Sequence, residues 1–226
     1  RIEANFDGNL KLGTRGLSAS ILTHYEDNLT SHDDNHDGFL DKPKVRQVNV
    51  MNRWAYVRPR YIMQAEASVI SERRRGGQTT HSHEDASQAI STNVMGGTET
   101  SAESTFPMPL YRIEMQTTRV AGWMKNAFIL TPSHGTNLAL ILSGTYHTTD
   151  ASYGLRLNNA DQRTGYASLL FETDFTPQHK LSTGLSANVD DYLHHYQLEQ
   201  QSATPVERLD LSERVAGGYA QYTFST

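Results

Sequence analysis

The chain has 226 residues, a formal net charge of −5 and a mean hydropathy of −0.58. That balance excludes the general basic footprint of a nucleic-acid binder, so no nucleic-acid partner is expected. The absence of cysteine excludes a disulfide framework and a thiolate metal site, and no apolar run approaches the ~20 residues of a membrane helix. The low hydropathy is still compatible with a membrane barrel, because half of each strand in such a barrel faces water.

Alternation of apolar and polar residues carries the secondary structure, since side chains on a strand point to opposite faces with a period of two. Weak alternation near residues 2–10 predicts strand 1. Strand 2 sets Leu17, Ala19, Ile21, Thr23 and Tyr25 against Ser18, Ser20 and His24, with Leu22 spoiling the polar side. Strand 3 lies near residues 45–56, and strand 4 sets Tyr61, Met63, Ala65, Ala67 and Val69 against Gln64, Glu66 and Ser68. Strand 5 sets Tyr111, Ile113 and Met115 against Arg112, Glu114 and Gln116. Strand 6 carries Leu138, Leu140, Leu142 and Tyr146, and strand 7 sets Ala167, Leu169, Phe171 and Phe175 against Ser168, Glu172 and Asp174. Strand 8 is the cleanest, with Leu181, Leu185 and Val189 opposed by Ser182, Ser186 and Asn188. Strand 9 is weakly marked near residues 218–225.

The connections fall into two alternating classes. Short ones lie near 13–15, 57–60, 132–136 and 176–179; long ones are expected at 27–43, 74–109, 148–163 and 191–213. All seven prolines fall in connections, which fits strands whose ladders proline would interrupt. Trp54, Tyr56, Tyr61, Trp123, Phe128 and Phe175 cluster by the short turns, and Tyr25, Tyr111 and Tyr146 by the long loops. Aromatic girdles, short turns on one side and long loops on the other are the pattern of an outer-membrane barrel. Arg119 falls on the apolar side of strand 5 if that strand is regular, which predicts either a β-bulge or a projection beyond the lipid. The expected class is therefore all-β, an antiparallel up-and-down transmembrane barrel. An odd count of nine strands, with Arg1 inside the first, predicts one barrel segment over residues 1–226 of something larger.

The first long loop holds Asp33-Asp34-Asn35-His36-Asp37-Gly38-Phe39-Leu40-Asp41. Side-chain oxygens of Asp33, Asn35, Asp37 and Asp41, with the carbonyl of Phe39 and a turn at Gly38, match positions 1, 3, 5, 9, 7 and 6 of an EF-hand-type loop. Hard oxygen ligands converging from a tight turn predict calcium. Position 12 is Lys44 rather than glutamate and no helix flanks the loop, so a further ligand such as Asp27 is needed; the alternative is an acidic surface loop. His81 with His83, His194 with His195, and His32 with His36 are candidate transition-metal or haem-iron ligands, or ordinary surface histidines. Arg73, Arg74 and Arg75 top strand 4 and are read either as a solvated strand end or as a site for an anionic ligand or lipid-sugar phosphates. No nucleophile–base arrangement is singled out, and no enzymatic role is expected.

Several stretches resemble the middle of the barrel of a TonB-dependent outer-membrane receptor. They are Tyr25-Glu26-Asp27-Asn28, Asn35-His36-Asp37-Gly38-Phe39-Leu40-Asp41, Val48-Asn49-Val50-Met51-Asn52-Arg53-Trp54 and Glu72-Arg73-Arg74-Arg75-Gly76-Gly77. The resemblance implies a plugged barrel of about 22 strands in the outer membrane of a Gram-negative bacterium. It implies energised import of a scarce nutrient, a cobalamin-like cofactor or a metal chelate such as a siderophore or haem, or an oligosaccharide. It also implies loops that capture the nutrient, coupling to TonB through a plug that this chain does not show, and a surface lipoprotein as a further partner. Loop 74–109, rich in Ser, Thr and Gly, is expected to close over ligand. Two readings compete: a soluble calcium-binding β-sandwich that recognises carbohydrate, and a general porin.

Overall fold

A computed structural model describes residues 1–13, 16–79, 110–198 and 206–225. Nine antiparallel strands form one sheet in which each strand pairs with its sequence neighbours: β1 (Ile2–Leu12), β2 (Leu17–Asn28), β3 (Lys44–Arg58), β4 (Tyr61–Gly77), β5 (Arg112–Thr131), β6 (Thr136–Tyr153), β7 (Arg156–Thr176), β8 (His179–Gln197) and β9 (Glu207–Phe224). The order is up-and-down, with no Greek-key crossing, and the sheet is open: β1 and β9 each keep an unpaired edge. Among the described residues there is no α-helix, only a 3₁₀ turn at Pro132–His134.

Register sorts every side chain. Residues directly opposite in an antiparallel pair share a face, so the pairings Leu10↔Ala19, Ala19↔Trp54, Trp54↔Ala65, Ala65↔Met124, Met124↔Leu142, Leu142↔Ala167, Ala167↔Ala187 and Ala187↔Ala216 trace one unbroken apolar row across all nine strands. Above and below this row the same face stays uncharged: Val48 to Tyr56 on β3, Tyr61 to Ser71 on β4, Gln116 to Phe128 on β5, Leu138 to Thr148 on β6 and Leu181 to Val189 on β8. The opposite face carries Asn5, Asp7, Ser20, Arg53, Glu66, Arg119, Lys125, Glu172 and Asn188. Every orientation expected for strands 2, 4, 6 and 8 is found, and the aromatics Trp54, Tyr56, Tyr61 and Phe128 rim the apolar belt at the short-turn end. Tyr61 stands 6.0 Å from Tyr56 and 5.0 Å from Phe128, ring centre to ring centre. Trp123 does not join them, because its register places it on the polar face opposite Glu66.

Among the described residues no hydrophobic core lies beneath either face. Ala151 is the sole fully buried apolar residue among those described, while Leu185 is 66% exposed and Phe128 42%. Among the described residues the ladder, not a core, holds these strands, and the apolar belt occupies one face of a single layer.

Three sequence expectations need correction. Residues 148–163 are not a long loop: β6 and β7 run on to a two-residue turn at Gly154 and Leu155. Gly154 sits at φ +62, the positive angle that tight hairpin turns demand. The connection expected over 191–213 likewise shrinks to 198–206, since β8 and β9 extend into it. Strand 5 has its upper phase reversed. Ile113 and Met115 lie on the polar face with Arg119 and Lys125, while Val120, Met124 and Phe128 supply the apolar belt. Arg119 pairs with His147 in unbroken register, so no bulge is needed there; the irregularities on the turn side fall between Ile129 and Thr131 and between Asp174 and Thr176. The common cause is that above the belt the two faces exchange character. Arg112 and Glu114 on β5 and Arg208 and Asp210 on β9 then occupy the face that is apolar lower down, and the apolar residues move to the other side.

The two sheet ends differ as the sequence implies. At one end the connections are 13–16, 59–60, 132–135 and 177–178; at the other they are 29–43, 78–111, 154–155 and 198–206. Long connections concentrate at one end even though one of them is short.

Candidate functional site

Two regions at the long-loop end present chemistry: the upper polar face and the loop 29–43. On the polar face the register aligns His24, Asn49, Ile70, Arg119, His147, Gln162 and Tyr192 across β2 to β8. Lower down, Arg53 donates to Glu66 at 2.6 and 3.0 Å, a fork on one carboxylate oxygen. Glu66 also faces Trp123, and the hollow around them is bordered by Arg119 and Ser143. On β8 the residues Tyr192, His194 and Tyr196 form a ladder of half-buried rings, with centres 6.0 and 6.2 Å apart. His194 Nε2 is hydrogen-bonded to Asn158 Oδ1, and Gln162 donates to both oxygens of Asp190 at 3.0 and 3.1 Å. The ladder offers ring faces flanked by amide and carboxylate groups, a surface suited to a ligand with both apolar and hydrogen-bonding edges. A period of two on β8 marks it in the sequence, but Leu193 and His195 interrupt it and hide it among polar residues.

Loop 29–43 is tied to the sheet. Leu40 N donates to Gly77 O at 3.0 Å, Thr79 N to Gly38 O at 2.7 Å, and Phe39 bridges Gln78. Gly77 makes the approach at φ +99, where an added Cβ would lie 2.3 Å from the Tyr111 carbonyl oxygen. Within the loop, His36 at φ 59 and Gly38 at φ 82 curl the chain. Asp33 accepts from the amides of Asp37 at 3.1 Å and Gly38 at 3.0 Å; Asp37 accepts from Phe39 N at 2.8 Å and from Asn35 Nδ2 at 2.9 Å; Asp41 accepts from Asp34 N at 2.8 Å. The expected metal residues Asp33, Asn35, Asp37, Phe39 and Asp41 therefore share one tight turn, with the carboxylates bonded to its amides. Among the described residues no three acidic or histidine side chains form a group that could hold a metal ion. The expected auxiliary ligand Asp27 is instead engaged by Arg46 at 3.0 Å and Tyr25 Oη at 2.9 Å, while its Oδ1 is buried without a hydrogen-bond partner.

Of the other histidine expectations, one pair separates. His194 and His195 are consecutive on β8 and point to opposite faces, so they do not share a metal from one face. His81 and His83, with most of loop 74–109, lie outside the described residues. The arginine run divides in the same way: Arg73 and Arg75 are on the apolar face, and Arg74 is on the polar face, where it pairs with Glu72 at 2.5 Å.

Comparison with protein-family models, curated proteins and solved structures finds no match for this chain.

Proposed function

We propose that this sheet is a wall segment of an outer-membrane transport barrel that takes up a scarce nutrient by an energised, TonB-dependent route. The observation that carries the reading is the uncharged belt crossing all nine strands on one face, opposed by a polar face. The belt spans residues 181–189 on β8 and 138–148 on β6, close to the ~9–11 residues of a tilted transmembrane strand. Charge returns on that face above the belt, from Arg163 on β7, Asp191 on β8 and Arg214 on β9 upward, where headgroups and water would begin. The single open sheet in sequential order, without a buried second layer, favours this reading over a β-sandwich. Its upper polar face, with Arg119, His147 and the Tyr192–His194–Tyr196 ladder, supplies a wall for ligand capture. A plugged barrel passes nothing passively, so release of a tightly held ligand needs work. Uptake of a radiolabelled cobalamin or ferric chelate by cells carrying the full-length protein should stop when the proton gradient is collapsed. Uptake that persists would favour a general porin.

We propose calcium for the 33–41 turn as a site formed on binding, since among the described residues its carboxylates do not yet converge as a metal-holding group. The donor set is all hard oxygen, which suits calcium, and the turn is already closed by its own amides. Calcium would add to those bonds and stiffen the loop against Gly77 and Thr79. Calorimetric titration of the full-length protein with calcium should show one site in this loop that weakens about tenfold or more in Asp37→Ala, which removes one of its carboxylate ligands. Equal binding by wild type and variant would remove calcium from the assignment.

A further inference from the structure

The rim of the apolar face is not uniform. Across β6 to β9 it mixes signs and neutralises itself: Asp150, Asp161 and Arg163 lie close in register, and Arg214 is 2.9 Å from Asp191. Across β3 and β4 it does not. There Lys44 stands directly opposite Arg75, and Arg46 directly opposite Arg73. Like charges placed directly across an antiparallel pair repel, so two such pairs side by side call for counter-charge. Two acids on the same face provide part of it, Asp27 at 3.0 Å from Arg46 and Glu114 at 3.3 Å from Arg75. Among the described residues the hydrogen-bond partner of the Arg73 guanidinium is the neutral amide oxygen of Gln116, at 2.9 Å, in a hollow that Asp150 also lines. Among the described residues Lys44 has no ion pair. With Asp150, which lines the same hollow as Arg73 and Gln116, the four cations face three acids among the described residues, in a chain whose net charge is −5.

We propose that Lys44, Arg46, Arg73 and Arg75 form a binding site for the phosphate groups of a membrane lipid. The inference rests on the reading of the apolar face as the membrane-facing one. The position identifies the ligand. Below the four cations on the same face lie first Val48 with Ser71 and Thr118, then Val69 and Val120; the three valines are each between 43% and 45% exposed. A lipid whose chains cover those valines brings its headgroup to the level of the cations. Arginine and lysine stems lie along apolar surface while their charged ends reach upward, and guanidinium groups grip phosphate oxygens through paired hydrogen bonds. The exposed Arg46 and Arg75 side chains, at 57% and 52%, leave donors for an added anion beyond those given to Asp27 and Glu114. Arg74, on the other face and paired with Glu72, is outside the site and serves as a control.

The test uses the full-length protein in detergent, incubated with lipid A as the phosphorylated probe, with enzymatically dephosphorylated lipid A, and with inorganic pyrophosphate as a chain-free competitor. Native mass spectrometry counts the lipid retained. Wild type should retain lipid A at least about tenfold more than its dephosphorylated form, and the triple variant Arg46→Gln, Arg73→Gln, Arg75→Gln should lose that preference. Arg74→Gln should keep it. Equal retention of both lipids by wild type, or an undiminished preference in a triple variant with an intact β-sheet spectrum, overturns the proposal. Complete displacement by millimolar pyrophosphate also overturns it, since the site would then be for free phosphate. If the full-length protein stays monodisperse in buffer without detergent, the membrane reading itself fails and takes this site with it. If it needs detergent but ignores the phosphates, only the site fails.

Discussion

Leu140 and Ser143 sit three residues apart on one strand, yet they belong to different worlds. Leu140 pairs with Asn126 and Leu169 inside the uncharged belt, whereas Ser143 faces Trp123 and Tyr166 on the polar side. In a transmembrane wall an arginine on the lipid side near mid-belt costs roughly 2–4 kcal/mol; on the other side it enters a polar hollow beside Glu66. Leu140→Arg is therefore expected to stop assembly of the full-length protein into membranes, and Ser143→Arg to permit it. Heat-modifiable migration on gels reports assembly, and equal behaviour of the two variants would refute the face assignment. The same residue-scale logic explains what the sequence could and could not say about the candidate site. Asp33, Asn35, Asp37, Gly38 and Asp41 announce a tight oxygen-rich turn by spacing alone. That their carboxylates are already bonded to the turn's own amides depends on His36 and Gly38 taking positive φ, which spacing does not encode.

Strands 2, 4, 6 and 8 were legible because their apolar residues keep one phase inside the belt, as Leu181, Leu185 and Val189 do on β8. The missed stretches are those where the phase inverts. On β9, Leu209 and Leu211 lie on the polar face while Tyr222 and Phe224 lie on the apolar one, so no single period of two runs the length of the strand. On β6 and β7, residues 148–153 and 156–161 have no apolar face, and their composition of Thr, Asp, Ser and Asn reads as loop. They pair regardless, from Thr148↔Asp161 up to Tyr153↔Arg156, because the ladder bonds are made by backbone and need no apolar side chain. Gly154 closes the hairpin, its added Cβ excluded by the Tyr111 ring at 2.7 Å. Hydrogen exchange on the full-length protein should find the amides of 148–153 and 156–161 protected to an extent comparable with residues 138–146. Exchange at the rate of an open loop would place the strand ends where the apolar pattern ends instead.

At the scale of the whole sheet the decisive property is what is lacking beneath it. Soluble domains bury an apolar face against a second layer, but among the residues described here only Ala151 is a buried hydrophobic. Among the described residues the belt from Leu10 on β1 to Ala216 on β9 stays uncovered, and β1 and β9 each offer a free edge of amides and carbonyls. Open edges of this kind recruit further strands, and an outward apolar belt requires a nonaqueous neighbour. Both demands are met together if the sheet continues into a closed wall set in lipid, and neither is met by these nine strands alone in water. Residues 1–226 expressed by themselves should therefore associate in buffer. Transfer into detergent should cover the belt but leave the edges, giving β-structure that remains oligomeric by light scattering. The full-length protein in the same detergent should be a single disperse species. A monomeric, folded, detergent-free preparation of the 226-residue chain would show that the belt folds onto itself, and the transport-wall reading would give way to that of a self-contained β domain.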